Sequence, residues 1–185
     1  MRRTIIVNAF AGPGAGKTTA AWDIAANLKK RDIETEYVSE YAKELVWDGR
    51  ADMLGGTIKN QALVYEEQKR RIDRLLGKVD VIVTDSPIIL SAIYIKPELN
   101  EPEEYKKFQQ KLVREFKKYD NFNFFINRDK KNYQQAGRIH NLEEAIQIDE
   151  DIKRFLDKNN IYYGTYYHSH MKLIADNIER HLKKV

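Results

Sequence analysis

Apolar and polar positions alternate along the chain in two distinct rhythms. Thr4 to Phe10 is a continuous β-branched and apolar run of strand length, and it is followed by a helical stretch over about 16 to 30. Glu34 to Ser39 reads as a second strand, leading into a short helix near 40 to 48. Gly49, Gly55 and Gly56 make 49 to 57 a loop. A long helix is predicted over about 58 to 76, then a buried strand from Val79 to Thr84. Helical stretches are predicted near 88 to 95 and over 103 to 118, the second carrying Tyr105, Phe108, Leu112 and Phe116 on one stripe. Asn121 to Asn127 is strand four and Ile161 to Tyr167 strand five. Between them a helix over 142 to 158 places Ala145, Ile148, Ile152 and Phe155 on one face. A last helix over about 170 to 183 does the same with Met171, Ile174, Ile178 and Leu182. Five strands alternating with helices predict an α/β fold, a parallel sheet covered on both faces with its ligand site at the C-terminal strand ends.

The connection after the first strand carries chemistry. Residues 11 to 19 read Ala-Gly-Pro-Gly-Ala-Gly-Lys-Thr-Thr. This fits the phosphate-binding pattern G-x-x-x-x-G-K-[ST] with Ala11 at the first glycine position. An anion held by several backbone N–H groups needs a tight loop, which Gly12, Gly14 and Gly16 permit. The following helix turns its N-terminal amides and positive dipole end to the same anion. Gly12, Gly14, Ala15, Gly16, Lys17, Thr18 and Thr19 are therefore the expected nucleotide-binding residues. Lys17 is expected at the β- and γ-phosphates, and the Thr18 hydroxyl on Mg²⁺. The alternative is a glycine-rich turn with an accidental lysine, against which the strand before and the helix after both argue.

Three further polar clusters each follow a strand. Asp85 ends the third strand, where an acid holds Mg²⁺ directly or through water, or acts as the base that orients the acceptor hydroxyl in place of Glu40. Asp85 or Ser86 also reads as a helix N-cap before Pro87. Ser86 stands where motor-type ATPases carry a water-activating glutamate, which argues against hydrolysis as the purpose. Glu40 and Tyr41 end strand two. Glu40 is placed to hold an acceptor hydroxyl and take its proton, or else is an acid in a helix first turn. Gln61 and Gln68 share a helix face with Tyr65, Ile72 and Leu75. Two amides on an apolar face either read a nucleobase edge or mark a solvated border. Arg70, Arg71 and Arg74 read as a solvated face. The basic stretch from Arg128 to about 141 has the composition of a lid, with Arg128 and Arg138 able to neutralise charge on a transferred phosphoryl group. A charged surface loop is the other reading of it. His140, His168 and His170 have no metal-ligand spacing.

Composition bounds the partners. The chain has 185 residues, 42% hydrophobic and 32% charged, which fits one domain spanning 1 to 185 with a sizeable core. Cysteine is absent, so disulfides and thiolate zinc sites are excluded. No apolar run is long enough for a bilayer and no secretory leader is evident, which points to the cytoplasm and no membrane partner. The net charge of +4 suits phosphate-rich ligands without specifying nucleic acid.

Together, Ala11 to Thr19, Ser39-Glu40-Tyr41-Ala42, Thr84-Asp85-Ser86-Pro87 and Asn121 to Arg128 with Gly137-Arg138 resemble the P-loop nucleoside and nucleotide kinases. The likeness is strongest to the ribosylnicotinamide kinase branch and to small bacteriophage proteins labelled AAA-type ATPases. The resemblance implies a P-loop NTPase three-layer α/β/α fold with strand order 2-3-1-4-5 and a lid. It further implies ATP and Mg²⁺ as cofactors and a hydroxyl acceptor of nucleoside or nucleotide type. Some bacteriophage members of the group act on a 5-hydroxymethyl pyrimidine within DNA. Its catalytic residues here would be Lys17, Glu40, Asp85, Arg128 and Arg138, with Glu40, Tyr41, Gln61 and Gln68 at the acceptor and Thr18 and Asp85 at the metal. No AAA sensor or second helical region is evident, and Asn127-Arg128-Asp129-Lys130 is not the N-K-x-D base reader of GTPases. A P-loop ATPase or switch acting with DNA or a protein partner is the alternative function.

Overall fold

Strand β1 (Ile5–Phe10) is buried along its whole length, because neighbours flank both of its edges. β3 (Val81–Thr84) pairs with it on one side, Ile5 opposite Val81 through Asn8 opposite Thr84. β4 (Asp120–Ile126) pairs on the other, from Ile5 opposite Asp120 to Phe10 opposite Phe125. β2 (Thr35–Val38) and β5 (Gly164–Tyr166) form the two edges. The sheet is wholly parallel in the order β2-β3-β1-β4-β5, as expected. The computed structural model describes residues 2 to 128 and 141 to 183. Most of the expected lid, with Arg138 and His140, lies outside the described residues.

Helices cover both faces. α1 (Lys17–Lys29) packs beside α7 (Met171–Leu182), and Arg31 at its end bonds Asp176 and Glu179. α3 (Ile58–Asp73), α4 (Ser91–Tyr94) and α5 (Pro102–Phe116) pack in series. Phe108, Leu112 and Phe116 of the α5 stripe are buried with Tyr105 partly buried beside them, and Phe116 meets Phe10 of β1 edge to face at 6.3 Å. α2 (Tyr41–Trp47) follows β2, and α6 (Leu142–Lys158) precedes β5. Local chemistry starts these helices. Pro102 opens α5 with Glu103 and Glu104 in its first turn. Asn141 and Glu144 close a reciprocal capping box at the start of α6.

Three elements differ from the periodicity. The helix expected over 88 to 95 is a 3-10 turn followed by only four helical residues, because Lys96 precedes Pro97 and adopts the extended backbone that proline imposes. β5 is three residues long rather than seven. Asn160 turns the chain in the left-handed region, and the Asn123 side chain, not the β4 backbone, bonds the Tyr162 carbonyl. α6 fully buries Ala145, Asp149, Ile152 and Leu156, while Ile148 and Phe155 of the expected face are only partly buried against the core. That small rotation carries an aspartate into the interior.

Leu112 is fully buried on the α5 stripe. Leu112→Ala is expected to lower stability by about 2–5 kcal/mol, measured by urea unfolding, through lost contacts and the cavity left behind.

Candidate active site

The loop between β1 and α1 wraps the C-terminal edge of the central strand. Gly14 and Gly16 adopt φ of 78° and 86°, the left-handed conformation that turns successive N–H groups toward one point. Among the described residues, no acceptor meets the backbone N–H groups of Gly14, Ala15, Gly16, Lys17 or Thr18. Lys17 Nζ donates to the carbonyls of Ala11 and Gly12 at 2.8 and 3.2 Å, so its ammonium lies across the loop. Burial pulls its pKa below the ordinary lysine value, and the charges of Glu40, Asp85 and Asp149 oppose that pull.

Asp85 follows β3 and is 2% exposed. Its Oδ2 accepts from the Thr18 hydroxyl at 2.5 Å, and its Oδ1 is buried with no partner. A buried, unbonded carboxylate oxygen is costly unless something positive meets it. Thr18 and Asp85 therefore fit a divalent cation, whose hard oxygen ligands they supply. The Tyr37 hydroxyl nearby is pushed above the ordinary tyrosine value by burial and then by the Asp85 charge.

Glu40 stands at the N-terminus of α2 without capping it. Burial raises its carboxyl pKa above the ordinary glutamate value. Asp85 pushes it further, while Lys17 and Lys43 act against the rise. Gln68 brackets it: the amide donates to the Ser39 carbonyl at 3.1 Å and accepts from the Tyr41 N–H at 3.0 Å. The amide reaches Thr84 Oγ1 as well, at 3.4 Å. Arg71 adds a bidentate pair to Glu44 with both bonds 2.6 Å long, fixing α2 against α3.

Glu40 also lines a cavity of about 360 Å³ beside the loop, within the range of small-molecule sites. Pro13 forms its loop side. Leu54, Val64, Ile88, Leu90 and Tyr94 give apolar walls, with Gln61, Ser86, Ser91 and Lys96 as polar points. Burial raises the Tyr94 hydroxyl pKa, with Glu40 the largest charge contribution.

The structure brings Lys17, Thr18, Asp85 and Glu40 together as the sequence predicts. It places other candidates differently. Gln61 and Gln68 are both buried, so neither is a solvated border. Both line the cavity; Gln61 bonds the Gly55 carbonyl at 3.3 Å, and the Gln68 amide is engaged with the backbone on both sides of Glu40. The Tyr41 ring lies under the Arg71 guanidinium at 4.9 Å and is not part of the cavity wall. Arg71 is thus a brace within the fold rather than part of a solvated face.

Arg128 is the clearest displacement. The sequence suggests a place over the phosphates. Its guanidinium lies behind the loop, bonding Asp149 through Nε at 2.8 Å and the Pro13 carbonyl at 2.7 Å. Asp149 in turn accepts from the Gly12 N–H at 2.5 Å. The two side chains are 5% and 8% exposed. A Cβ on Gly12 would stand 2.7 Å from the Ala145 carbonyl and 2.9 Å from Asp149, so Gly12 is required by this buried pair. Sequence reasoning missed Asp149. The available signal was an acid one turn from Ala145 and Ile152 on the apolar face of α6. It also missed His168, whose Nε2 is 2.8 Å from the Ala15 carbonyl. Among the described residues no cluster of three metal-ligating side chains occurs, and no helix is long and apolar enough to cross a membrane.

A parallel sheet ordered β2-β3-β1-β4-β5, a left-handed glycine loop before α1 and an acid after β3 define a P-loop NTPase fold. The chain belongs to the AAA domain family, whose model matches residues 7–166. A solved structure described as a NadR protein in complex with NR is similar in fold. Its TM-score is 0.67 at 14% sequence identity, covering 95% of this chain and 50% of that one. The chain therefore spans about half the length of that relative. No curated protein sequence matches the chain.

Breaking the buried pair leaves an uncompensated guanidinium. Asp149→Ala is expected to lose about 3–5 kcal/mol of stability in urea unfolding. Exposed pairs such as Lys106–Glu103 should change stability by under about 1 kcal/mol when broken.

Proposed function

We propose that the protein is an ATP- and Mg²⁺-dependent kinase that moves the γ-phosphate to a hydroxyl of a nucleoside-type acceptor held in the 360 Å³ cavity. The observation that carries this reading is Glu40, a carboxylate with a raised pKa that belongs to the cavity wall and interacts electrostatically with Lys17 and Asp85. A site for hydrolysis alone has no need of a walled cavity opposite the phosphate loop. The fold likeness to a NadR protein in complex with NR supports the same reading.

The division of labour follows from the geometry. The inward N–H groups of Gly14 to Thr18 and the Lys17 ammonium bind the donor phosphates. Thr18 and Asp85 would hold Mg²⁺, which supplies neutralisation of phosphate charge. Apolar walls from Leu54 to Tyr94 bind the acceptor ring and exclude water from the transfer. The ionised Glu40 orients the acceptor hydroxyl and accepts its proton as that oxygen gains the phosphoryl group. Its raised pKa makes it a better proton acceptor than an exposed glutamate.

Transfer should be followed with γ-labelled ATP, Mg²⁺ and a panel of free nucleosides, nucleoside monophosphates, ribosylnicotinamide, plain DNA and DNA carrying 5-hydroxymethyl pyrimidines. Label on one acceptor establishes the kinase and its substrate. Label in free phosphate alone would overturn the reading in favour of an ATPase or switch. Lys17→Ala should reduce transfer by at least about a hundredfold with the thermal transition retained.

Glu40→Gln should lower kcat far more than nucleotide affinity. The wild-type rate should rise with pH through a midpoint above the ordinary glutamate range, and the variant should lack that limb. Stability gives an independent check with the opposite sign. A raised carboxyl pKa means the folded state holds the proton more tightly than the unfolded chain, so stability falls as pH rises through the interval between the two values. Glu40→Gln should therefore match or exceed the wild-type melting temperature at pH 7. The difference should close below the ordinary glutamate pKa. A helix-capping role predicts a drop instead.

A further inference from the structure

The loop glycines are pressed from outside as well as open inside. A Cβ on Gly16 would stand 2.5 Å from the His168 imidazole, which comes from the turn after β5 and lies against the outer surface of the loop. Facing a carbonyl, which only accepts, His168 Nε2 must carry the hydrogen it shares with Ala15 O at 2.8 Å. One peptide earlier in the alternation, the Pro13 carbonyl is held by Arg128 at 2.7 Å. A trans peptide is planar, with its C=O and N–H pointing in opposite directions. No cis bond occurs among the described residues. Holding the Pro13 carbonyl outward therefore aims the Gly14 N–H inward, and holding the Ala15 carbonyl outward aims the Gly16 N–H inward. Those are the two glycines of the loop with left-handed φ.

We infer that Arg128 and His168 are positioning residues that preset the phosphate nest by clamping alternate loop carbonyls from behind. This rests on the reading of the loop as a phosphate site. Glycine leaves the loop free to flip its peptide planes, since both orientations are open to it. The clamps remove that freedom before ligand arrives, and preorganisation of this kind raises affinity without adding a contact to the ligand. Arg128 is locked to α6 through Asp149, whereas His168 is an exposed side chain in the turn after the edge strand β5, which pairs with β4. His168 is thus the clamp that can be altered without disturbing the core.

The test is equilibrium binding of ATP and of inorganic tripolyphosphate to the full chain, with melting temperature measured alongside. His168→Phe keeps the ring and loses the donor. It should weaken both ligands by about tenfold, the scale of one hydrogen bond, with the melting temperature unchanged. His168→Gln, whose Nε2 replaces the ring donor, should restore most of the affinity. Equal affinity of wild type and His168→Phe would overturn the clamp while leaving the phosphate site in place. Failure of Gln to rescue would assign the loss to ring contact and would also overturn it. No binding of either ligand to the wild type would overturn the phosphate-site reading itself, and the clamp with it.

Discussion

Burial of charge around one glycine loop is the constraint on which the rest of the structure depends. Lys17, Asp85, Glu40, Arg128 and Asp149 all withdraw from solvent within a few residues of the loop, and each would be costly there alone. The fold makes this tolerable by giving most of them a partner on a different element. Arg128 at the end of β4 meets Asp149 on α6, and Asp149 also accepts from Gly12. Thr18 on α1 meets Asp85 after β3. The exceptions are informative. Asp85 keeps one oxygen unbonded, and Glu40 has a desolvated carboxyl with a raised pKa beside an open cavity. Unmet electrostatic demand is thus concentrated where a cation and a hydroxyl would be received.

Backbone direction is controlled with equal care. Peptide groups have opposed donor and acceptor ends, so catching one end decides where the other points. Asp149 catches the Gly12 N–H, and the Ala11 carbonyl at the other end of that peptide receives the Lys17 ammonium. Gln68 does the same on either side of Glu40, catching the Ser39 carbonyl and the Tyr41 N–H. Both halves of the site therefore owe their geometry to side chains that stand one layer behind it, on α3 and α6. Gln68 holds the backbone on both sides of Glu40 while also lining the cavity, and Arg128, expected over the phosphates, holds the loop carbonyl of Pro13 from behind.

Much of the fold was legible because it depends on short-range pattern. The continuous apolar run of β1, the glycine spacing and the Lys17-Thr18 pair require no knowledge of distant residues, and they place a phosphate loop on a central strand. The stripes of α5 and α7 likewise followed from helical period. Errors arose where tertiary packing chose between near-equal local options. The face of α6 turned by about one position to bury Asp149, and β5 shortened because side chains replaced backbone pairing near Asn123.

The amino-acid sequence by itself determined the alternation of strands with helices, the phosphate loop, and the identity of Lys17, Thr18, Asp85 and Glu40 as its polar complement. These follow from local periodicity and from chemistry held within single connections. Only the tertiary structure decided that Arg128 stands behind the loop, that Asp149 and His168 brace it, and that Glu40 belongs to a cavity wall. Those pairings join residues 115, 137 and 153 positions apart, and no local rule reports a contact that exists only once the sheet has closed. The physical reason is that pattern records which side chains avoid water, whereas packing alone records which buried groups meet one another.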